Sequence, residues 1–316
     1  MFEPKIVKGL HINPKIEPTL LYHASMLGDG IRNWSFFQAL QKYVTKETSV
    51  LDIGSGVGVW AILAAKLGAK RVVAIEKNEI LIPIIQRHII ENDVVNQVEV
   101  INVDSRDFKS KEKFDLIISE TIGNLGFEEN IAGILLDAKN RFLSQNGLII
   151  PQAVSLMCVP INFVDSTTNL PDSIPFSCDY FKSLAVNFSQ YCKTRNKLNF
   201  LSEPKVLLET DLLNITIQPE IENLKVSWFL PDVSQVNGFA LFARAQLTEE
   251  IILDTFESES WSVMLFEFEP FEVKVGEIEF DLTSKFEKKF WNVSLLSSPD
   301  QPTRSYSPVF PSLRLV

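Results

Sequence analysis

The run Val50-Leu-Asp-Ile-Gly-Ser-Gly-Val-Gly58 carries a short apolar stretch straight into three glycines, and the helix-forming segment WAILAAKLGAK (60–70) follows at once. Without a Cβ, Gly54, Gly56 and Gly58 let the backbone turn sharply and let a ligand come close, with helix N–H groups pointing at it. Outward from this turn the same texture repeats. The apolar runs SVLDI (49–53), RVVAI (71–75), QVEVI (97–101), FDLIIS (114–119) and GLII (147–150) alternate with helical segments near 57–67, 79–92 and 128–142. Continuous apolar strands separated by helices predict an α/β fold, a Rossmann-like parallel sheet covered on both faces.

At Pro151 the pattern changes. Period-2 alternation takes over in Leu224, Val226, Trp228 and Leu230, then Phe239, Leu241, Ala243 and Ala245, then Val273, Val275, Ile278 and Phe280. Half-buried antiparallel strands have this signature, so a β-sandwich or barrel is expected. A mixed, Phe-rich piece at 164–205 reads as an excursion from it. At the other end, Pro4, Pro14 and Pro18 mark an extended lead-in, and a helical stretch from Leu20 to Val44 is interrupted around Gly28 and Gly30. The expected division is 1–47 as lead-in and covering helices, 48–150 as the sheet domain, and 151–316 as the β-domain.

The chain has 316 residues, 46% of them hydrophobic, and a formal net charge of −10. An acidic surface repels phosphate backbones, which argues against a nucleic-acid partner and is compatible with a cationic substrate. Cys158, Cys178 and Cys192 form an odd, sparse set with no CxxC pair, so neither a disulfide framework nor a metal site is expected. The opening MFEPKIVKGLHINPK has no apolar leader core, and no window of about 18 uncharged apolar residues occurs. The expected location is the cytoplasm, with no membrane partner.

Glu76 ends the second strand, where a carboxylate can accept both ribose hydroxyls of an adenosine. The dinucleotide fingerprint needs Gly or Ala at position 59, which is Val59, and the Gly-Lys-Ser/Thr of a P-loop is absent. What remains, D-x-G-x-G-x-G beginning at Asp52, resembles motif I of the class I methyltransferases. The resemblance implies S-adenosyl-L-methionine as cofactor, with Asp52 helping to hold its amino acid end through the ammonium or a water. Asp104 and Ser105 follow the third strand, where that superfamily commonly recognises the adenine.

The fourth strand ends in Ser119-Glu120, and Glu129 comes nine residues later, past Gly123 and Gly126. Ligands of open α/β sheets bind at the carboxyl ends of strands, so Glu120 is expected to point into the cleft. Glu129 can also be read as an ordinary charge at a helix start. SETIGNLGFEE (119–129) resembles the double-E loop of the protein arginine methyltransferases, S-E-x-x-G-x-x-x-x-x-E. YHASMLGDGIR (22–32) resembles that family's helix motif, H-x-x-M-L-x-D-x-x-R. GLIIPQAVSLMCVPIN (147–162) looks like its crossing into a β-barrel, with 164–205 where a dimerisation arm would sit. The resemblance implies that Arg32 binds the cofactor carboxylate, that Met26 lines the methyl-transfer channel, and that the protein is a homodimer.

Physics gives the paired acids a purpose. A guanidinium is planar, always charged and a poor nucleophile. Two carboxylates can grip its N–H fork and draw positive charge away from one terminal nitrogen. They also offset the repulsion between that cation and a sulfonium.

The sequence departs from the family at one position. The family's Thr-His-Trp loop supplies a histidine to the helix-motif aspartate, and the counterpart here is Glu259-Ser260-Trp261. Asp29 is therefore expected to lack its partner, while Trp261 is retained as a candidate site residue. Ser260 cannot carry charge or shuttle a proton near neutral pH as an imidazole does. Three readings stay open: N-methylation of a guanidino group in a protein or peptide, methylation of a small molecule or biosynthetic peptide, and a non-catalytic scaffold that keeps the cofactor site.

Overall fold

A computed structural model describes residues 16–164, 177, 189–220, 224–282, 293–295 and 304–306. Two helices come first, α1 (Ile16–Gly28) and α2 (Gly30–Tyr43). Asp29 separates them because it caps the second: its backbone is extended and its carboxylate accepts the Arg32 amide at 3.0 Å. A capping carboxylate satisfies an N–H that has no partner within the helix.

The sheet follows, as the alternation of apolar runs predicts. Strands β1 (Ser49–Ile53), β2 (Arg71–Glu76), β3 (Val98–Asn102), β4 (Phe114–Ser119) and β5 (Leu143–Ile150) lie in the order β3-β2-β1-β4-β5. All are parallel. Helices α3 (Val59–Lys66), α4 (Ile82–Glu91) and α5 (Ile131–Phe142) connect them. β1 is the central strand, and Val50, Leu51, Asp52 and Ile53 are all buried, which explains its unbroken apolar texture.

After Pro151 the chain enters an antiparallel β-domain. Strands β6 (Ala153–Phe163), β7 (Ser189–Cys192), β8 (Leu198–Phe200), β9 (Lys205–Asp211), β10 (Leu224–Leu230), β11 (Ser234–Gln246), β12 (Ile252–Asp254), β13 (Val263–Val273) and β14 (Gly276–Leu282) follow in sequence. Seven of them form one sheet around β7-β13-β11-β6-β8, while β10 pairs with β14. Of the expected excursion at 164–205, residues 165–176 and 178–188 lie outside the described residues.

Two expectations change. Phe239, Leu241, Ala243 and Ala245 of β11 are buried as the alternation requires, but so are Ala240 and Phe242 between them. β11 is a central strand covered on both faces: Phe239 and Leu241 join the main core, whereas Ala240 and Phe242 pack with Met157, Val159 and Ile161 of β6 in a second one. Val273 and Ile278 do not share a strand. Val273 ends β13, Val275 is exposed, and β14 begins at Gly276. The main core runs without a break from β1 and β4 into β6 and β11, so the sheet and the β-domain bury one another.

Candidate active site

A cleft of about 870 Å³ opens at the carboxyl ends of β1, β2, β3 and β4. Its floor is the turn after β1. Gly54, Gly56 and Gly58 have φ of 73°, 57° and 88°, a left-handed backbone that L side chains rarely adopt. Space is also closed at Gly56, where an added Cβ would stand 2.9 Å from the His23 ring of α1. Gly54 and Gly56 line the cleft, but Gly58 does not. It starts α3 as a left-handed cap and packs on Ile85.

The turn spends its amides internally. Gly54 and Ser55 donate to the Ile75 carbonyl, and Gly56 donates to Glu76 Oε2 at 2.9 Å. What it offers a ligand is close backbone approach beside a carboxylate, with Val57, Val59 and Trp60 at the start of α3 also lining the cleft. Glu76 is also fixed by the Asn78 amide on Oε1 at 2.7 Å, so its carboxylate faces the cleft in one orientation with lone pairs to spare.

Asp52 requires a correction. It is fully buried beneath the turn and does not line the cleft. Oδ2 accepts the Ala61 amide of α3 at 3.1 Å, and Oδ1 has no partner among the described residues. Burial pushes its carboxyl up to about 7, only partly offset by hydrogen bonding, and the charges of Glu76 and Glu120 raise it further. Asp52 therefore ties β1 to α3 and acts on the cleft through its field, with no direct contact.

Asp104 and Ser105 line the far end of the cleft. The Asp104 carboxylate is gripped by Arg106, at 2.9 and 2.8 Å, which holds it well below the usual carboxylate range. The Ser105 carbonyl accepts from Arg141 at 2.6 Å.

The opposite wall is the loop from Glu120 to Asn130. Glu120 and Glu129 both line the cleft, as do Met26, Tyr22 and Arg32. Glu120 Oε2 accepts from Arg32 Nε at 3.0 Å and forms an ion pair with Arg32 Nη2. Both side chains are nearly sealed, 5% and 7% exposed, so each charge depends on the other. Arg32 also lies 4.9 Å from the Trp60 ring, which stacks on Phe36. Burial raises the Glu120 carboxyl against the pull of Arg32.

Glu129 stands exposed at the mouth, ahead of the left-handed Asn130 that caps α5. The protein crowded around it, and then Glu128, push its carboxyl up. Tyr22 reports the same convergence: burial first, then the charges of Glu129 and Glu120, push its phenol up to about 12. The neighbouring Glu128 turns back to accept the Leu125 amide and so shapes the loop.

Asp29 and Trp261 stand outside the cleft, a second correction. Asp29 is 1% exposed and does not lack partners. Besides capping α2, it accepts from Ser258 Oγ and from the Ser260 amide at 2.7 Å. Burial works to raise its carboxyl, but these bonds outweigh it and hold the group low. Trp261 donates from Nε1 to the Ile122 carbonyl at 2.6 Å, and the Ser262 amide donates to Asn124 Oδ1 at 2.6 Å. Both bonds pin the loop that carries Glu120 and Glu129. Gly126 lets that loop lie flat on the β-domain, since a Cβ there would meet Val154 at 2.7 Å.

Sequence and fold are both similar to those of known methyltransferases. Residues 35–150 match the family model of ribosomal protein L11 methyltransferase (PrmA). A probable protein arginine N-methyltransferase 6.2 of Oryza sativa subsp. indica is 28% identical over 234 residues, covering 70% of this chain and 58% of that protein. Protein arginine N-methyltransferase 6 of Xenopus laevis is 28% identical over 241 residues, 70% of this chain and 68% of that one. Over 70% of its length, this chain is similar to protein arginine methyltransferases.

The chain spans 58% of the length of the rice relative. Two solved structures share the fold across both parts of the chain. A Trypanosoma brucei PRMT1 enzyme–prozyme heterotetrameric complex with AdoHcy superposes with a TM-score of 0.77 at 19% identity, covering 90% of this chain and 97% of that one. Arabidopsis thaliana protein arginine methyltransferase 10 gives 0.75 at 21% identity, covering 92% and 98%.

Proposed function

We propose that this chain is an S-adenosylmethionine-dependent N-methyltransferase that acts on a guanidino nitrogen of a protein or peptide. One observation carries the reading: Glu120 and Glu129 face the same cleft as Glu76 and the glycine turn. The charges fit such a pair of ligands. Glu76, Glu120 and Glu129 line one cleft, and the first two help to raise the Asp52 carboxyl beneath it, so cationic ligands relieve an excess of negative charge. Glu76 would hold the ribose hydroxyls, and Arg32 the carboxylate of the cofactor. When bound, the cofactor supplies an electrophilic methyl carbon on a sulfonium.

The chain's own residues would do the rest. Glu120 and Glu129 accept N–H bonds from the guanidinium, orient it, and concentrate its positive charge away from the attacking nitrogen. Each also offsets the cation–cation repulsion, roughly 4 kcal/mol at 4 Å for an effective dielectric near 20. Arg32 now pairs with Glu120, so taking up the cofactor carboxylate would free Glu120 for the acceptor.

Radiolabelled S-adenosylmethionine incubated with arginine-rich peptides should label arginine. The Glu120→Gln variant should lower that transfer on the order of 10²- to 10³-fold. Unchanged transfer in the variant would sink the carboxylate grip. Label on free guanidino compounds but not on peptides would establish the small-molecule reading instead.

A second copy of the chain is the proposed partner. Leu21 and Leu27 of α1 and Ile31 and Trp34 of α2 are large apolar side chains left exposed among the described residues. In sedimentation, Trp34→Glu should shift the wild-type dimer to monomer, and a monomeric wild type would contradict this.

A further inference from the structure

We propose that Arg195 is a positioning residue: one guanidinium sets the loop 255–262, which holds the double-E loop on one side and the Asp29 cap of α2 on the other. The inference rests on the proposed function for its catalytic consequence, but its structural half stands by itself. Arg195 opens a short 3₁₀ turn, Arg195–Lys197, between β7 and β8. Its Nη2 donates to the Trp261 carbonyl at 2.6 Å, to the Ser258 carbonyl, and to the Thr255 carbonyl at 3.3 Å. Three carbonyls converging on one nitrogen fix the curvature of the loop between them.

Each residue so held has a task elsewhere. Ser258 and Ser260 hold Asp29, which caps α2 three residues before Arg32. Trp261 and Ser262 hold Ile122 and Asn124, which lie between Glu120 and Glu129. The guanidinium thus reaches the cofactor side through Asp29 and the acceptor side through Trp261. It also supplies positive charge: Asp29, Glu257 and Glu259 all act on it and counter the cost of its burial. With serine at position 260, the loop carries no cation of its own toward Asp29, and Arg195 brings one from a different strand connection.

Arginine suits this post. Its charge is permanent and its rigid planar group presents Nη2 in a fixed direction, with two N–H bonds shared among the three carbonyls. Lysine keeps the charge but presents a rotating point donor.

The test compares full-length wild type with Arg195→Met and Arg195→Lys. Asn237→Ala serves as a control, because buried Asn237 spends its side-chain hydrogen bonds on the Phe163 backbone and not on the loop. Hydrogen exchange comes first and needs no activity. Arg195→Met should lose protection in residues 258–262 and, with them, in 29–32 and 122–126, on the order of tenfold or more, while Asn237→Ala should not. Calorimetry and steady-state kinetics follow. In Arg195→Met, Kd for S-adenosylmethionine and KM for an arginine-rich peptide should both rise about tenfold. Arg195→Lys should recover part of each, and it carries the same comparison if Arg195→Met fails to fold.

Deprotection confined to 258–262, or unchanged Kd and KM despite deprotection, would overturn the proposal. Absence of methyl transfer in the wild type would instead strike the proposed acceptor, and exchange would still decide the role of Arg195.

Discussion

The two walls of the cleft are built by opposite strategies. On the glycine-turn side, the hydrogen bonds are local in sequence: Gly56 with Glu76, Glu76 with Asn78, Asp52 with Ala61. On the double-E side, the loop is pinned from a distance. Trp261 reaches Ile122 across 139 residues, and Ser260 reaches Asp29 across 231. The first wall is a property of the α/β segment, whereas the second exists only once the β-domain has docked. The glycine turn is thus set by the α/β segment alone, whereas the double-E loop and, through Asp29, the start of α2 depend on the second half of the chain.

This contrast can be broken or sharpened by substitution. The largest effect is the loss of turnover in Glu120→Gln, described above, because no other group replaces that carboxylate beside Arg32. Glu76→Gln comes next. It keeps one acceptor oxygen for Gly56 or Asn78 but loses the charge, and should weaken S-adenosylmethionine by roughly tenfold or more, the scale of a charge-assisted hydrogen bond. Calorimetry reads this, and the KM for peptide should hardly move. Trp261→Phe should do the reverse. Removing the indole donor frees a buried carbonyl, at a cost of about 1–3 kcal/mol. Peptide KM should rise several-fold while cofactor Kd stays close to wild type. If Trp261→Phe weakens cofactor and peptide alike, the two walls are not separately built.

The smallest effect concerns pH. Asp52 has its folded value raised to about 7 from an ordinary 3.8, so the folded chain holds the proton more tightly than the unfolded one. Its contribution to stability is then greatest at low pH, declines as pH rises through that window, and levels off above about 7. Glu76 and Glu120 are the charges that face it. Asp52→Asn keeps an acceptor for Ala61 and removes the titration. Urea unfolding at pH 5 and pH 8 should show a fall in stability for wild type, a few kcal/mol at most, and a smaller one for the variant. A wild-type fall that the variant reproduces in full would assign it to another group.

The same contrast explains what the sequence discloses. Gly54, Glu76, Asp104 and Glu120 are legible because a parallel sheet puts strand ends together, so strand pattern alone locates them. Asp29 and Trp261 could be named from motif spacing, but their contacts could not, since the partners Ser258 and Ile122 belong to distant segments. Arg195 carried no signal: it lies in a mixed stretch and acts on carbonyls, which leave no trace in side-chain pattern. β11 misleads for a related reason. Period 2 reports one buried face, and burial of the second depends on β6 and the small core of Met157, Val159 and Ile161. Asp52 shows the limit of motif reading, because its place before the glycines suggested contact with a ligand and the turn in fact closes over it.

The most direct test of the whole account is a crystal structure with S-adenosylhomocysteine and an arginine-containing peptide bound. The account predicts ribose hydroxyls on Glu76, Arg32 turned from Glu120 to the ligand carboxylate, and the guanidinium bridged by Glu120 and Glu129. A peptide arginine seated elsewhere, with Arg32 still locked on Glu120, would contradict it.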